Sequence, residues 1–209
     1  MKFLFPQLGM RQNRTMSRPL QFEFLASATA VDQLPATRAE VAFIGRSNVG
    51  KSSLLNAIAG GKKVARVSNT PGRTQSLDCF ALDRSKATVV DCPGYGYAKV
   101  SKSVRSQWLP MLERYLLERE QLTMVMMLVD GEIGPTASDL HMLSWLREHD
   151  VPHSVVATKH DKVKSSKRLH RQKEFAEACK VQVTDVVSVS AFEDIGITQL
   201  RALVREWLA

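Results

Sequence analysis

The segment GRSNVGKS at positions 45–52 combines the residue types that bind phosphate groups. It fits the pattern G-x-x-x-x-G-K-[ST] and lies between an apolar segment, EVAFIG, and a helical pattern, KSSLLNAIAG. Gly45 and Gly50 allow the backbone to curl until its N–H groups converge on phosphate oxygens. The pattern predicts that Lys51 reaches the β- and γ-phosphates of a nucleoside triphosphate and that the Ser52 hydroxyl binds Mg²⁺. The N-terminus of the following helix adds a partial positive charge.

A second motif, DCPG at positions 91–94, follows the apolar segment ATVV. It places the carboxylate of Asp91 and the backbone N–H group of Gly94 at the end of a predicted strand. We expect Asp91 to hold Mg²⁺ through a water molecule and the N–H group of Gly94 to contact the γ-phosphate. The motif is weak alone, but its position downstream of a phosphate-binding loop indicates a nucleotide switch.

The segment TKHD at positions 158–161 follows another apolar segment and supplies a residue that can read a base. The Asp161 carboxylate accepts hydrogen bonds from the ring N–H and the exocyclic amine of guanine, whereas adenine would leave the carboxylate unpaired. An unpaired buried charge costs on the order of several kcal/mol. We also expect the Lys159 stem to cover the base plane. A backbone N–H group near Ala191, in SVSA at 188–191, is expected to meet the guanine oxygen.

The segment NTPGRTQS at positions 69–76 lies between the first two motifs. Pro71 and Gly72 indicate a loop. Thr70 and Thr74 both carry a hydroxyl that is able to complete the Mg²⁺ shell. We therefore expect this loop to become ordered with the triphosphate and to loosen with the diphosphate.

Tyr95 follows DCPG directly, at the position where many nucleotide switches carry the glutamine that orients water. A tyrosine has no carboxamide with which to orient water, so we expect slow hydrolysis. We also expect its ring to shield the γ-phosphate pocket from bulk water. The nearby Arg73 is a candidate for the arginine that neutralises phosphate charge.

Apolar and amphipathic segments alternate along the chain, which predicts an α/β fold with a mostly parallel sheet. Strands are predicted for EVAFIG, SLDCFAL, ATVVDC, TMVMMLVD, HSVVATKHD and DVVSVSA, with the second and third pairing as an antiparallel hairpin. Further helices are predicted over residues 104–119, 137–148, 165–180 and 197–208, and Thr136 with Asp139 resembles a capping box. Ligands of such sheets bind beyond the carboxyl ends of the strands, where every motif above lies.

The composition favours a soluble, cytoplasmic protein. A chain of 209 residues, with 44% hydrophobic and 24% charged residues, fits one globular domain with a tail. The three cysteines, Cys79, Cys92 and Cys179, form no CxxC pattern and are predicted to be reduced and buried. The apolar run MVMMLV is too short to span a membrane.

The basic side chains leave two interpretations open. A formal net charge of +8 fits solubility alone or a polyanionic partner such as RNA. The segment KHDKVKSSKRLHRQK at 159–173 is either a solvated surface or a face that contacts RNA phosphates. Lys99, Lys102 and Arg105 follow the second motif and would make RNA contact depend on the nucleotide. Residues 1–22 are predicted to form a flexible basic tail, in which Met16 is an alternative start to Met1.

The segments GRSNVGKSSLLNAI, TPGRTQ, DCPGYGYAKVS and TKHDK resemble the EngB group of bacterial ribosome-biogenesis GTPases, of the TrmE–Era–EngA–EngB–Septin-like class. The resemblance covers roughly residues 23–208, and residues 23–209 are predicted to form one domain. It implies a Ras-like P-loop GTPase fold with a six-stranded, mostly parallel sheet, one antiparallel strand, and helices on both faces. It also implies that a monomer binds GTP, GDP and Mg²⁺ and acts in assembly of the large (50S) ribosomal subunit or its precursors. We expect no DNA binding. We do expect effects on cell division and septation.

The same resemblance assigns the residues of the site. Thr74, and not Thr70, matches the magnesium threonine, so Ser52, Thr74 and Asp91 (through water) form the expected Mg²⁺ set. The expected nucleotide-binding residues are Gly45, Arg46, Ser47, Asn48, Val49, Gly50, Lys51, Ser52, Ser53, Gly72, Arg73, Thr74, Gln75, Ser76, Asp91, Cys92, Pro93, Gly94, Thr158, Lys159, His160, Asp161, Val189, Ser190 and Ala191.

Two further positions bear on this site. Asn48 is the fourth residue of the phosphate-binding loop, and its carbonyl oxygen is either a ligand for K⁺, as in related GTPases with this asparagine, or a brace for the loop. Phe192 stands where many GTPases carry a lysine after the Ser-Ala pair, which affects how tightly the base edge is held.

Two other classes of protein share parts of this pattern. A P-loop kinase needs an acceptor-substrate site and has no need of a guanine-reading TKHD segment. A septum- or membrane-associated GTPase that acts as a structural or assembly protein needs an amphipathic segment or an extended assembly surface. Neither feature is evident in the sequence.

Overall fold

A mixed β-sheet forms the centre of the described part of the chain. The computed structural model describes residues 18–65, 76–82, 85–95 and 102–209. The strands are β1 Phe22–Ala28, β2 Ala39–Gly45, β3 Leu77–Leu82, β4 Ala87–Asp91, β5 Leu122–Asp130, β6 His153–Thr158 and β7 Val186–Ser188. The helices are α1 Lys51–Ile58, α2 Lys102–Glu118, α3 Ala137–Glu148, α4 Arg168–Cys179 and α5 Ile197–Trp207.

The order and direction of the strands are those of a doubly covered α/β sheet. The order is β1-β3-β4-β2-β5-β6-β7. Strand β2 pairs in parallel with β4 and β5, and the pairs β5–β6 and β6–β7 are also parallel. Strand β3 runs antiparallel to both of its neighbours, β1 and β4. The predicted α/β class, the mostly parallel sheet and the hairpin of β3 and β4 are therefore confirmed.

The predicted number of six strands is wrong, because the described residues form seven. The additional strand is β1, with the sequence FEFLASA, at the edge of the sheet. Only Ala28 is buried in it, and the pairing register shifts between Phe24 and Ala26. An irregularity of this kind breaks the alternation of inward and outward side chains by which a strand is predicted from sequence.

Two apolar cores lie on the two faces of the sheet. On one face, Ile44 and Met127 pack with residues of α2, α3 and α4, such as Phe175. On the other face, Phe43 and Met126 pack with residues of α1 and α5. Because both faces of β2 and β5 are covered, both strands consist of continuous apolar residues.

The folded part of the chain begins before residue 23. Leu20 is fully buried, and its N–H group donates to the carbonyl oxygen of Ile58 at 2.9 Å. Arg205 donates to the carbonyl oxygen of Arg18 at 2.9 Å. Residues 18–22, which were assigned to the tail, therefore pack against α1 and α5, because an apolar side chain is buried there. Residues 1–17 lie outside the described residues.

The helices follow the predicted ones with small changes at their ends. Helix α4 is shorter than predicted, because residues 165–167 form a separate 3₁₀ turn. The capping box is confirmed, since the Asp139 carboxylate accepts from the N–H group of Thr136 at 2.8 Å and from its hydroxyl at 2.7 Å. The three cysteines are free and buried. Within the described ranges, no helix has the length and apolar character needed to cross a membrane.

Candidate nucleotide-binding site

The loop between β2 and α1 has the backbone geometry of an anion-binding turn. Gly50 adopts a φ of 103°, a left-handed conformation that favours glycine, and α1 begins at the next residue, Lys51. The N–H groups in the first turn of a helix have no partner within the helix and carry the positive end of the helix dipole. This loop therefore presents donors at the carboxyl edge of the sheet, as the sequence predicts.

The loop after β4 lies directly against the phosphate-binding loop. A Cβ atom at Gly94 would stand 2.4 Å from Oγ of Ser47, so a larger residue does not fit there. The Nζ atom of Lys51 donates to Oδ1 of Asp91, and both side chains are nearly buried. Burial raises the pKa of Asp91, and the charge of Lys51 opposes this rise. The two residues predicted to act on the phosphates and on Mg²⁺ are thus brought together.

The side chains at this point fit a magnesium ion. Ser52 is partly exposed, and its hydroxyl makes no hydrogen bond with the described residues; Asp91, which contacts the neighbouring Lys51, offers a carboxylate. Mg²⁺ prefers oxygen ligands and is usually held by one or two protein groups together with phosphate oxygens and water. The described residues contain no cluster of three His, Cys, Asp or Glu side chains that could hold a metal ion. The expected third ligand, Thr74, lies outside the described residues.

A cavity of about 380 Å³ lies beside the phosphate-binding loop, between α1 and the loops after β6 and β7. Gly50, Lys159, Asp161 and Ala191 are among the residues that line it. Its walls therefore include a residue of the phosphate-binding loop and the carboxylate that the sequence predicts to read guanine. The phosphate end and the base end of the predicted site are continuous.

Hydrogen bonds hold the Asp161 carboxylate in place. Oγ of Ser190 donates to Oδ1 of Asp161 at 2.7 Å. The same Oγ accepts from the N–H groups of Phe192 at 3.2 Å and Glu193 at 3.0 Å. Ser190 itself is fully buried. The loop after β7 thus fixes Asp161, and the sequence analysis did not assign this role to Ser190.

A second carboxylate positions Lys159. The lysine has a φ of 55°, and its Nζ lies 2.7 Å from Oδ2 of Asp130, the last residue of β5. Asp130 is almost fully buried, and its Oδ1 accepts from the N–H group of Glu132 at 3.0 Å. The sequence analysis missed Asp130. The available signal was a carboxylate at the end of a buried parallel strand, the edge at which such sheets bind ligands.

The two ends of the site are also joined through the backbone of the phosphate-binding loop. The hydroxyl of Thr158 donates to the carbonyl oxygen of Val49 at 2.7 Å. The N–H group of His160 donates to the carbonyl oxygen of Val189 at 3.0 Å. Burial, with a smaller contribution from Arg168, lowers the pKa of His160, so the neutral ring is favoured. These contacts are structural, and they set the distance between the phosphate-binding loop and the base-reading loops.

The prediction that Tyr95 shields the phosphate pocket is wrong. Its side chain is buried in the core that contains Leu112 and Tyr115, and its hydroxyl donates to Oδ1 of Asp139 at 3.0 Å. Nε of Arg46, in the phosphate-binding loop, donates to Oδ2 of the same carboxylate at 3.2 Å. Burial and the nearby Asp139 raise the pKa of Tyr95 well above its usual value. The ring is therefore directed into the core by a partner on α3, which the sequence analysis assigned only to a helix cap.

Three further predicted residues lie within the described ranges, and six lie outside them. Asn48 is exposed, has a φ of 61°, and forms no side-chain hydrogen bond with the described residues, so the brace interpretation finds no support there. The Ser76 hydroxyl lies 2.9 Å from Oγ of Ser27 and donates to Asp78 at 3.0 Å, at the β1–β3 edge. Burial raises the pKa of the Cys92 thiol well above its usual value, so this thiol stays neutral. Residues outside the described ranges are Thr70, Gly72, Arg73, Thr74, Gln75 and Lys99.

Comparison with known proteins agrees with this geometry. A family model described as 50S ribosome-binding GTPase matches residues 40–159, more than half of the chain. With the sheet order and the phosphate-binding loop described above, the match defines a P-loop GTPase, an enzyme that hydrolyses GTP.

Individual relatives define the group within this class. The probable GTP-binding protein EngB of Thermotoga petrophila is 47% identical over 180 residues, which cover 84% of this chain and 90% of the relative. The protein of the same description from Myxococcus xanthus is 39% identical over 192 residues, covering 88% and 93%. The chain therefore belongs to the EngB family of GTP-binding proteins.

Solved structures show the same fold. A probable GTP-binding protein EngB superposes with a TM-score of 0.66 at 26% identity, covering 81% of this chain and 98% of that one. Era, solved with MgGDPNP and nucleotides 1506–1542 of 16S ribosomal RNA, superposes with a TM-score of 0.65 at 24% identity, covering 82% and 57%. At that identity the likeness to Era concerns the fold alone.

Proposed function

We propose that this GTPase is a nucleotide switch that acts in the assembly of the bacterial large (50S) ribosomal subunit in the cytoplasm. The observation that carries the nucleotide part of the proposal is the cavity that joins Gly50 of the phosphate-binding loop to Asp161. Asp161 is held by Ser190 and faces the same cavity, which is the arrangement that reading a guanine edge requires. Effects on cell division and septation would follow from impaired subunit assembly.

In this proposal the phosphates bind between the first turn of α1 and Lys51. Lys51 exchanges its contact with Asp91 for phosphate oxygens, because a ligand with several negative charges competes with one carboxylate. Ser52, Thr74 and Asp91 (through water) would hold Mg²⁺, and the ion would supply positive charge near the β- and γ-phosphates. The residues of the chain bind and orient the phosphates, and Asp161 selects the base.

Slow hydrolysis is part of the proposal. Position 95 is where other switches carry the glutamine that orients water. The tyrosine at this position has no carboxamide, and its side chain is buried and bound to Asp139, which separates it from an attacking water. Electrostatic stabilisation and positioning supply most of the rate of phosphoryl transfer. Because position 95 supplies no water-orienting group, we expect slow intrinsic hydrolysis that is accelerated by contact with the partner.

The ribosomal part of the proposal is supported by family membership and by an exposed basic surface. The family is described as 50S ribosome-binding. Lys162, Lys164, Lys167 and Lys173 are exposed and have no acidic partner among the described residues, whereas the neighbouring arginines pair with Glu193 and Glu174. Unpaired lysines at one edge of a molecule attract the phosphates of ribosomal RNA. We call these four residues the lysine surface.

The test of guanine reading is the change Asp161→Asn. Xanthine carries an oxygen in place of the exocyclic amine, so an amide at position 161 should prefer it. We expect the variant to lose affinity for GTP and to gain affinity for xanthosine triphosphate, measured by titration calorimetry. Asp150→Asn, at an exposed turn far from the cavity, is the matched control and should bind as the native protein does. Equal binding of ATP and GTP by the native protein would contradict the proposal.

A further inference from the structure

We propose that Phe192 stacks on the nucleobase and is a determinant of nucleotide affinity in this chain. The inference rests on the proposed function, because it places the guanine base in the cavity beside Asp161. It adds a residue that neither the phosphate-binding motif nor the base-reading motif contains. Phe192 contributes to the wall of that same cavity, together with Lys159 and Asp161.

The side chain of Phe192 is more exposed than the other large apolar side chains of the described residues. Phe192 is 89% exposed, compared with 58% for Phe24 and 64% for Leu169, so almost none of its surface packs on the described residues. A single exposed apolar side chain needs no explanation by itself. Its position at the wall of a cavity that already holds a base-reading carboxylate is what indicates a ligand.

The backbone that carries Phe192 is held firmly. Its N–H group donates to Oγ of Ser190 at 3.2 Å, and the same Oγ donates to Asp161. The N–H group of Ser190 donates to the carbonyl oxygen of Ile195 at 2.9 Å, which closes the loop. The Cα atom of Phe192 is thus fixed relative to the carboxylate that reads the base edge. Because the backbone is already fixed, only the two side-chain torsions of Phe192 are restricted when a base covers the ring.

The chemistry of the two faces of the base is complementary. Lys159 is held by Asp130 at 2.7 Å, which leaves its aliphatic stem to cover one face. We place the ring of Phe192 on the other face, where it would be removed from water. Aromatic rings stack on any base, so the ring supplies affinity while Asp161 supplies the choice of guanine.

The experiment is a GDP titration of the native protein and of variants at position 192. Phe192→Ala should bind GDP about 5- to 100-fold more weakly, as is usual for loss of one base–aromatic stack. Phe192→Tyr should bind like the native protein, and Phe192→Leu should lie between them. Phe24→Ala, which removes an exposed ring at the other edge of the sheet, is the matched control and should not change GDP affinity.

A spectroscopic variant gives an independent readout. In Phe192→Trp the added indole should lose fluorescence when GDP binds, by more than the native tryptophans do. Unchanged GDP affinity in Phe192→Ala would overturn the inference, as would an indole at 192 that does not respond to GDP. So would a Phe192→Ala protein that binds GDP normally and loses only its association with large ribosomal subunits.

The two proposals fail in different ways. Loss of guanine preference in the native protein would remove the base site itself. Retained guanine preference with a silent Phe192 would remove only the stacking role.

Discussion

Asp139 joins three elements of the candidate site through one buried carboxylate. It accepts from Arg46 in the phosphate-binding loop, from Tyr95 after β4, and from Thr136 at the start of α3. Its exposed fraction is 0%. The backbone confirms the contact, since Arg46 and Tyr95 also form an isolated parallel β-bridge. The beginning of the segment after Gly94 is therefore anchored at Tyr95.

The anchor leads to a prediction for Tyr95→Phe. Loss of a hydrogen bond from a buried hydroxyl to a carboxylate should lower the free energy of unfolding by about 1–2 kcal/mol. GTP turnover should stay unchanged, because the hydroxyl is bound to Asp139 in the core and does not reach the phosphates. Urea denaturation and a phosphate-release assay measure the two quantities. Unchanged stability, or a clear change in turnover, would contradict the anchoring role of the hydroxyl.

Asn48 leads to a prediction about monovalent cations. Its side chain is exposed within the phosphate-binding loop and makes no hydrogen bond with the described residues, so its carbonyl oxygen is available to a ligand. We expect GTP turnover to be faster in potassium than in sodium at matched ionic strength, and faster again with large ribosomal subunits. A cation beside the phosphates supplies the charge that an arginine supplies elsewhere.

The variants for this test must respect the backbone. The φ of 61° at Asn48 suits glycine, so Asn48→Gly removes the oxygen without strain, whereas Asn48→Ala adds strain. Asn48→Asp keeps an oxygen and is the control that should retain the potassium effect. Identical rates of the native protein in both salts, with and without ribosomal subunits, would remove the cation from the mechanism.

Residues with local chemical logic could be predicted from the sequence, and residues with distant partners could not. Lys51 and Asp161 lie in short motifs whose spacing reflects the ligand. Asp130 and Asp139 act through Lys159, Tyr95 and Arg46, which lie on other elements. Only the fold brings these residues together. From the sequence alone, Asp130 can be placed at a strand end and Asp139 at a helix cap, but their partners cannot be identified.

At the scale of the elements, a buried polar cluster fixes α2 to the sheet. Glu40 of β2 is 0% exposed and accepts from Tyr115 at 2.8 Å, Arg119 at 3.1 Å and Thr88 at 2.7 Å. Tyr115 lies in α2, and Arg119 is the first residue after the end of this helix. Burial, followed by the charge of Glu40, raises the pKa of Tyr115 well above its usual value, which keeps the hydroxyl a donor. The C-terminal part of α2 is thus held to the strand that leads into the phosphate-binding loop.

The cluster leads to a prediction for Arg119→Met. Loss of the guanidinium leaves a buried carboxylate without a counter-charge, which should lower the free energy of unfolding by about 3–5 kcal/mol. Arg114→Met is the matched control, because Arg114 pairs with Glu118 on the surface and contributes little to stability. Chemical denaturation measures both. A loss in Arg119→Met no larger than that in Arg114→Met would contradict the structural role of the cluster.

The elements themselves were predictable where the apolar pattern was strong. Strands β2 and β5 are covered on both faces and are therefore continuous apolar segments. Strand β1 lies at an edge, pairs only with β3 among the described strands, and exposes Phe24 and Leu25. Its pattern depends on its neighbour and on a register shift, and neither is visible in a short window of sequence.

At the scale of the whole molecule, the lysine surface begins beside the candidate nucleotide-binding site. The chain carries a net charge of +8, and the lysine surface begins at Lys162, directly after Asp161. A partner that contacts these lysines would lie next to the base-reading loop. This proximity gives a physical route by which GTP and GDP lead to different affinities for a polyanionic partner.

The most direct test of the account is co-sedimentation of the native protein with purified large ribosomal subunits. The protein is compared with a non-hydrolysable GTP analogue, with GDP and without nucleotide, over a series of salt concentrations. We expect pelleting with the analogue, much less with GDP, and an affinity that falls steeply with salt. Replacing Lys164, Lys167 and Lys173 by Gln should flatten the salt dependence while leaving GDP affinity unchanged. Equal pelleting with GDP and the analogue, no association at low salt, or pelleting of the protein without subunits would contradict the account.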